Sequence, residues 1–399
     1  MSISVIPENT GFHATWFMDG TTGSVQKNIV LYLQKGVIDK VDTIISGQPV
    51  KSGVADFTGC TILPGFIDSH VHLFMSGTRD KKIREHQLHA GYADMRSVIA
   101  RHLGQALACG VFAVRDGGDY NAHAWQYKMA AEAAPADRVL FNVAGRGWRN
   151  NGRYGKLVGR PPAGGQTLAE AILVDSDRID HVKIINSGLN SLKQYGKETL
   201  PQFDLPTMRA AVSAAKQLGL KTMVHANGRL PVKIAIDAGC SSIEHGFFMG
   251  VENLQKMADQ QVAWVPTAIT MLAYSEKLDP NSTEAGIARR NCDHQLEQMA
   301  LARKYGVPVV LGTDAGSLGV HHGASVRREL ALLIEAGFSI PEAVRCGTHN
   351  GAKLLGLTHS GDLRRGKEAT FIVVEGPPSG LVDGLGKIKA FYIKGRRVF

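Results

Sequence analysis

Residues 63–72 read Leu63-Pro64-Gly65-Phe66-Ile67-Asp68-Ser69-His70-Val71-His72. A Pro-Gly pair introduces an apolar run, and a polar, glycine-containing segment follows it, so the stretch reads as a strand bounded by turns. In an extended strand residues i and i+2 project to the same side. His70 and His72 therefore bring two imidazoles together at the strand's end. Two such imidazoles are half of a metal site, and the other ligands must come from elsewhere in the chain.

Counting onward from this strand gives eight β-rich runs, at 65–72, 111–116, 139–144, 181–186, 221–226, 242–246, 263–267 and 307–313. Helical patterns lie between most of them, among them 94–108, 208–218, 230–238, 251–259 and 285–304. Strands alternating with helices predict an α/β fold, a (β/α)8 TIM barrel. The ends of the chain differ. Residues 15–57 and 361–399 read as short strands joined by glycine turns, which predicts a small β-sandwich built from both ends. The expected organisation is a composite β domain of residues 1–58 and 362–399 beside a barrel of residues 59–361.

In a (β/α)8 barrel the C-terminal strand ends converge on one face, where active sites lie. Lys183 stands within His181-Val182-Lys183-Ile184-Ile185-Asn186, where a charged amine is costly to bury unless paired or neutralised. Two readings fit it: a strand-end lysine reaching water, or an amine carboxylated by carbon dioxide that offers an oxygen donor to two metals. His225 ends one apolar run, His245 another, and Asp314 follows Val309-Val310-Leu311-Gly312-Thr313. Singly, each histidine reads as a satisfied polar residue and Asp314 as a helix cap. Together, His70, His72, Lys183, His225, His245 and Asp314 all fall at the ends of expected strands. Four imidazoles and two oxygen donors suit Zn²⁺ or another divalent first-row ion.

The composition narrows the class. Of 399 residues, 44% are hydrophobic and 20% charged, as in an ordinary globular protein, and no apolar run is long enough to span a membrane. No basic segment followed by an apolar one opens the chain, so a cytoplasmic location is the expectation. The five cysteines are scattered and odd in number, without a C-x-x-C, which argues against a disulfide framework and a thiolate zinc site. The net charge of +9 comes without a long basic block or a nucleic-acid motif. Its one local cluster is Arg146, Arg149, Arg153, Lys156 and Arg160, after the third expected strand. Arginines read carboxylates through paired hydrogen bonds, so Arg149 and Arg153 are candidate contacts to an acidic substrate group. The expected partner is a small molecule, with no nucleic acid and no membrane; a homo-oligomer is allowed.

These motifs resemble the amidohydrolase superfamily over nearly the whole chain. PGFIDSHVH is similar to that family's first-strand motif, and VKIINSG to the strand carrying a carboxylated lysine. Val114-Arg115-Asp116-Gly117-Gly118, the segment from Ala238 to Gly246, Gly312-Thr313-Asp314-Ala315-Gly316, Val320-His321-His322-Gly323 and Thr348-His349-Asn350-Gly351-Ala352 resemble one branch. That branch holds imidazolonepropionase-like proteins, prolidase-like dipeptidases and arginine-type carboxypeptidases. The resemblance implies two divalent ions, most simply Zn²⁺, bridged by N6-carboxylated Lys183 and a hydroxide. His70, His72, Lys183 and Asp314 would hold the more buried ion; Lys183, His225 and His245 would hold the other. Asp314 would act as general acid and base in cleaving a C–N amide bond of an N-acyl amino acid, dipeptide or cyclic amide. Asn227 and His322 would orient the substrate, and Arg115 and Asp116 would brace the barrel mouth by ion pairing. Asn227 stands where peptidases of this branch carry a tyrosine. The alternatives are a mononuclear deaminase or cyclic-imidate hydrolase, and a lactonase or esterase. A glutamate shortly after His225 would favour the mononuclear reading, and none follows it.

Overall fold

The structure, a computed structural model, describes residues 9–45, 53–133 and 139–399. Parts of the expected terminal domain, residues 1–8 and 46–52, lie outside the described residues. The chain begins with β1 (Asn9–Phe17), β2 (Gln26–Gln34), β3 (Val37–Thr43) and β4 (Val54–Pro64). After Gly65 it runs straight into β5 (Phe66–Val71), followed by α1 (Lys81–His89) and α2 (Tyr92–Ala108). Next come β6 (Val111–Asp116), α3 (His123–Ala133), β7 (Leu140–Val143), the two-residue strands β8 (Gly147–Trp148) and β9 (Gly159–Arg160), and α4 (Leu168–Val174). The alternation continues with β10 (His181–Ile185), α5 (Leu205–Gln217), β11 (Lys221–Ala226), α6 (Arg229–Asp237), β12 (Ser242–His245), α7 (Val251–Gln260) and β13 (Ala263–Val265). Helices α8 (Ile269–Lys277), α9 (Thr283–Tyr305), α10 (Ala324–Glu335), α11 (Ile340–Cys346) and α12 (His349–Leu355) follow. Strands β14 (Phe371–Glu375), β15 (Ile388–Ile393) and β16 (Arg396–Arg397) come last.

Strands β5, β6 and β7 form one parallel sheet, and β10 to β13 lie parallel in a second that includes β8 and β9. Two links join the sheets. The N–H of Asp180, just before β10, donates to Val143 of β7. At the other side, segment 307–315 is bonded to both neighbours: Val310 donates to Trp264 of β13, and Ser69 of β5 donates to Leu311. The expected eighth strand is therefore present as an extended segment with isolated bridges at Val309 and Ala315, not a regular ladder.

Helix starts follow their caps. The side chain of Asp204 accepts from Thr207 N–H and that of Ser282 from Ala285 N–H. These caps begin α5 and α9 earlier than the apolar periodicity alone indicates. No helix is long and apolar enough to cross a membrane among the described residues.

The terminal strands form one seven-stranded sheet in the order β16-β15-β14-β4-β1-β2-β3. Hydrogen bonding is continuous through it, so the expected sandwich is a single sheet curled over its own apolar face. Phe12 on β1 and Tyr392 on β15 are three strands apart, which is about 14 Å in a flat sheet. Their ring centroids lie 4.9 Å apart. The curl carries edge strand β3 against the segment before β14: Ile38 donates to Lys367, and Gly366 donates back to Ile38. Both chain ends thus meet in one core around Phe12, Leu31, Ile62, Phe371 and Val373.

Candidate metal centre

The imidazoles gather where the sequence places strand ends. His70 and His72 centroids are 5.5 Å apart, His70 and His245 4.9 Å, and His225 and His245 4.6 Å. One Oδ of Asp314 stands 3.5 Å from Nε2 of His70 and 3.4 Å from Nε2 of His72. His70, His72 and Asp314 can all direct a ligand atom to one point. Lys183, His225 and His245 line the same cavity as His72 and Asp314.

Each histidine is held by its other nitrogen. Nδ1 of His70 donates to Glu244 Oε2 at 2.8 Å, and Nδ1 of His72 donates to the carbonyl of Gly118 at 2.9 Å. Nδ1 of His245 is bonded to Thr267 Oγ1 at 2.7 Å, and Nε2 of His225 donates to the carbonyl of Gly188 at 3.1 Å. This leaves Nε2 of His70 and His72 and Nδ1 of His225 as lone-pair nitrogens, and Nε2 of His245 is one when its Nδ1 donates to the Thr267 hydroxyl. Nε2 of His70 is buried with no hydrogen-bond partner among the described residues. A buried, orphaned acceptor among three other imidazoles and a carboxylate is what a metal ion would satisfy.

The electrostatics agree. Burial, with the charge of Lys183 beside it, lowers the His72 imidazole to about 4 and the His225 imidazole to about 3. His70 and His245 are also pushed well below the usual imidazole range, chiefly by burial. All four imidazoles are neutral at pH 7. Lys183 is 2% exposed and makes no ion pair among the described residues; burial lowers its amine to about 8 against the pull of Glu244 and Asp314. At pH 7 roughly one in ten such amines is unprotonated, the nucleophilic form that attacks carbon dioxide. Burial raises Asp314 to about 7, with the Ser317 hydroxyl pulling the other way.

The backbone is strained to aim these groups. His245, Thr267 and Asp314, at three neighbouring strand ends, have φ of 68°, 47° and 58°. Left-handed backbone at non-glycine residues costs on the order of 1–3 kcal/mol each and concentrates at functional sites. Gly117, after β6, lies flat against the cluster: a Cβ there would be 2.7 Å from Cε1 of His72.

Glu244, absent from the sequence expectations, is central. It is fully buried, and Oε1 accepts from Arg115 Nη2 at 2.7 Å and from Ser242 Oγ, while Oε2 accepts from Nδ1 of His70. Its signal was an acid in a short buried strand, directly before a ligand-type histidine. Arg115 braces the centre as expected, through Glu244. Asp116 does so differently: it accepts from the backbone N–H of Leu73 and Gly118 and forms no ion pair with Arg115.

The remaining candidates divide. Asn227 lines the cavity, but its Oδ1 accepts from Phe247 N–H and its Nδ2 donates to Gly188, so it ties loops together. Arg153 is at the cavity rim, with Nη2 on the Leu200 carbonyl. Arg149 is buried away from the cavity lining, and its guanidinium braces the carbonyls of Gly159, Asn150 and Arg153. His322 stacks on His102 at 4.0 Å, behind the residues that line the cavity. For Arg149 the local reason is that its guanidinium reaches backbone carbonyls of its own loop; Nε2 of His322 is buried with no hydrogen-bond partner among the described residues. Tyr154, also absent from the expectations, faces the centre instead. Its ring lies 5.6 Å from that of His225, and burial and the Asp314 carboxylate raise its hydroxyl above the usual range.

Above the cluster opens a cavity of about 630 Å³, walled by Phe74, Leu192, Phe247, Met271 and Leu318 together with Tyr154 and Tyr274. Neutral imidazoles, a carboxylate and a buried amine at the floor of an apolar cavity can bind divalent cations and act on a small, largely apolar molecule.

The amidohydrolase family model matches residues 61–398. An uncharacterised protein of Mycobacterium tuberculosis is 26% identical over 320 residues, 79% of this chain and 80% of that one. The imidazolonepropionase of Porphyromonas gingivalis is 23% identical over 351 residues, 81% of this chain and 76% of that one. Among solved structures, a Xaa-Pro dipeptidase with bound methionine is similar at a TM-score of 0.81 and 24% identity, covering 98% of this chain and 99% of the other.

Proposed function

This chain belongs to the amidohydrolase family, and from that premise we propose that it is a binuclear metal-dependent hydrolase that cleaves a C–N amide bond of a small molecule. The observation that carries the reading is the convergence of four neutral imidazoles, Asp314 and the buried amine of Lys183 on one cavity floor. The supporting frame is a closed (β/α)8 barrel that begins after β4 and ends at residue 361, in which the two parallel sheets and segment 307–315 complete the ring. Strands β1 to β4 and β14 to β16 form the accompanying β domain, which takes in β4 as far as Pro64, beyond the expected bound at residue 58.

His70, His72, Asp314 and a carboxylated Lys183 would hold one divalent ion, and Lys183, His225 and His245 a second. Zn²⁺ suits this nitrogen-rich set. When bound, such ions supply an activated water and polarise a carbonyl at neutral pH. The chain's own residues do the rest. Asp314, near 7, takes the proton of the attacking water and returns it to the leaving nitrogen. Tyr154, whose ring lies 5.6 Å from that of His225, would donate to the scissile carbonyl oxygen. The apolar wall excludes water and holds the acyl group.

The test is elemental analysis of the purified protein, combined with hydrolysis of N-acyl amino acids, dipeptides, cyclic amides and lactones. We expect about two divalent ions per chain, turnover of linear amides, and a loss of at least about 10³-fold in kcat for D314N. One ion per chain with turnover confined to cyclic imidates would replace this reading by that of the imidazolonepropionase to which the chain is similar.

A further inference from the structure

One cation at the cavity mouth has no part in the scheme above. Arg84 sits in the first turns of α1, whose start is fixed by Asp80 accepting from the N–H groups of Lys82 and Ile83. Its Nη1 donates to the carbonyls of Ser76, at 2.6 Å, and Gly316, at 3.0 Å. These carbonyls belong to the segments that follow His72 and Asp314, so the guanidinium clasps the two loops leaving the metal centre. Gly316 lies directly on that centre. A Cβ there would be 2.8 Å from the His72 carbonyl and 2.9 Å from that of Met75.

Arg84 lines the cavity and is about half buried, yet no Asp or Glu lies within ion-pair distance of it among the described residues. Burial already lowers its guanidinium from the usual value, opposed only by Tyr274. An arginine stays charged in proteins, and a partly desolvated guanidinium without a counter-ion attracts an anion. Nη1 is committed to two carbonyls, while Nε and Nη2 make no hydrogen bond within the described protein. The other rim cations are placed differently: Arg153 is bonded to an exposed carbonyl, and Lys156 is exposed. The rest of the wall is mostly apolar.

We infer that Arg84 grips a carboxylate of the substrate, which makes the substrate an amide joining an apolar acyl group to an amino acid. The acyl group lies against Phe74, Phe247 and Met271, the amide sits over the imidazole cluster, and the carboxylate meets the open edge of Arg84. This rests on the amide-hydrolase reading above, and the experiment separates the two.

The kinetic arm compares an N-aroyl amino acid with its carboxamide on metal-loaded wild-type, R84Q and R84K enzyme. Glutamine removes the charge, and its amide ends two bonds short of Nη1, so it also gives up the clasp on the Ser76 and Gly316 carbonyls; the ratio of acid to carboxamide within each variant isolates the charge, and lysine keeps the charge without the planar fork. The expected result is a preference for the acid in kcat/KM that falls about 10- to 100-fold in R84Q, through KM, and is partly kept in R84K. The binding arm measures 3-phenylpropionate and 3-phenylpropanamide by calorimetry, without turnover. Wild type should bind the acid more tightly, and R84Q should lose that difference while its melting curve stays cooperative. If no amide is hydrolysed but the acid binds in an Arg84-dependent manner, the amidase reading fails and the carboxylate site stands. An unchanged acid preference in R84Q, a loss seen only in R153Q, or no binding of the acid by wild type overturns the site.

Discussion

Glu244 carries three contacts on two oxygens. Arg115 and Ser242 share one, and the His70 proton occupies the other. A carboxylate only accepts, so Nδ1 of His70 must hold the proton and Nε2 must face the cluster. Substituting E244Q allows an amide N–H to face His70 and releases that constraint. Outer partners of metal-binding histidines are worth about 10- to 100-fold in affinity. E244Q should therefore weaken zinc binding by that factor, measured by competition against a chromogenic chelator, while the fold persists. Equal affinity in the two proteins would remove Glu244 from the metal centre. His70, His72, His225, His245 and Asp314 were legible in the sequence because a polar residue closing an apolar run has few places to go. Glu244, Tyr154 and Arg84 were not, because their roles depend on which distant element stands opposite. Arg149 fails as a substrate contact for the same reason: its loop folds back and supplies carbonyls to it.

Between elements, α8 shows how a helix obtains a cap it does not encode. Its cap residue is Ala268, which has no side-chain acceptor. Glu329 of α10 supplies both oxygens instead, accepting from Ala268 N–H at 2.9 Å and from Ile269 N–H at 2.8 Å. Burial raises this carboxyl from 4.5 to about 8, with the two N–H groups opposing. Below pH 4.5 the folded and unfolded states both hold the proton. Between 4.5 and 8 only the folded state does, so its contribution to stability falls as pH rises and is lost above 8. The slope is on the order of 1 kcal/mol per pH unit. Wild-type melting temperatures should therefore fall from pH 5 to 9 more steeply than those of E329Q. The difference in slope is the readout, since the substitution also shifts both curves by a constant. Parallel curves would place the Glu329 proton elsewhere. In the sequence α8 has no start signal of its own, which is why it was not among the expected helices. Asp204 and Ser282 cap their helices locally, yet the apolar periodicity alone put those helix starts at 208 and 285 rather than at 205 and 283.

Across the whole molecule, the alternation of strands and helices was readable because each strand meets its neighbour in order. The terminal sheet was readable only as two β-rich ends. Its curl depends on Phe12 meeting Tyr392, a pairing no local pattern encodes. Five strands or strand-like segments, β5, β10, β11, β12 and 307–315, would share the ions, so metal binding should stabilise the fold as a unit. Removing the ions with a chelator should lower the melting temperature, and returning zinc should restore it in a concentration-dependent manner. An unchanged melting temperature in protein shown metal-free by elemental analysis would uncouple the centre from the fold.

The direct passage from β4 through Gly65 into β5 has a consequence for the order in which the molecule is made. His70 and His72 leave the ribosome early, on a strand continuous with β4. One sheet partner of β4, β1, precedes it, but the other is β14, and Thr61 Oγ1 donates to the carbonyl of Gly376, 315 positions later. Asp314 likewise arrives long after the histidines it joins. Translation at about 5–20 residues per second separates these events by tens of seconds. Over that interval β6 can pair with one edge of β5, but the edge that takes segment 307–315 stays open beside the two histidines, which neighbouring nascent chains or stray copper and nickel ions could capture. Assembly of the correct centre is thereby a late step, timed by synthesis of the last strands.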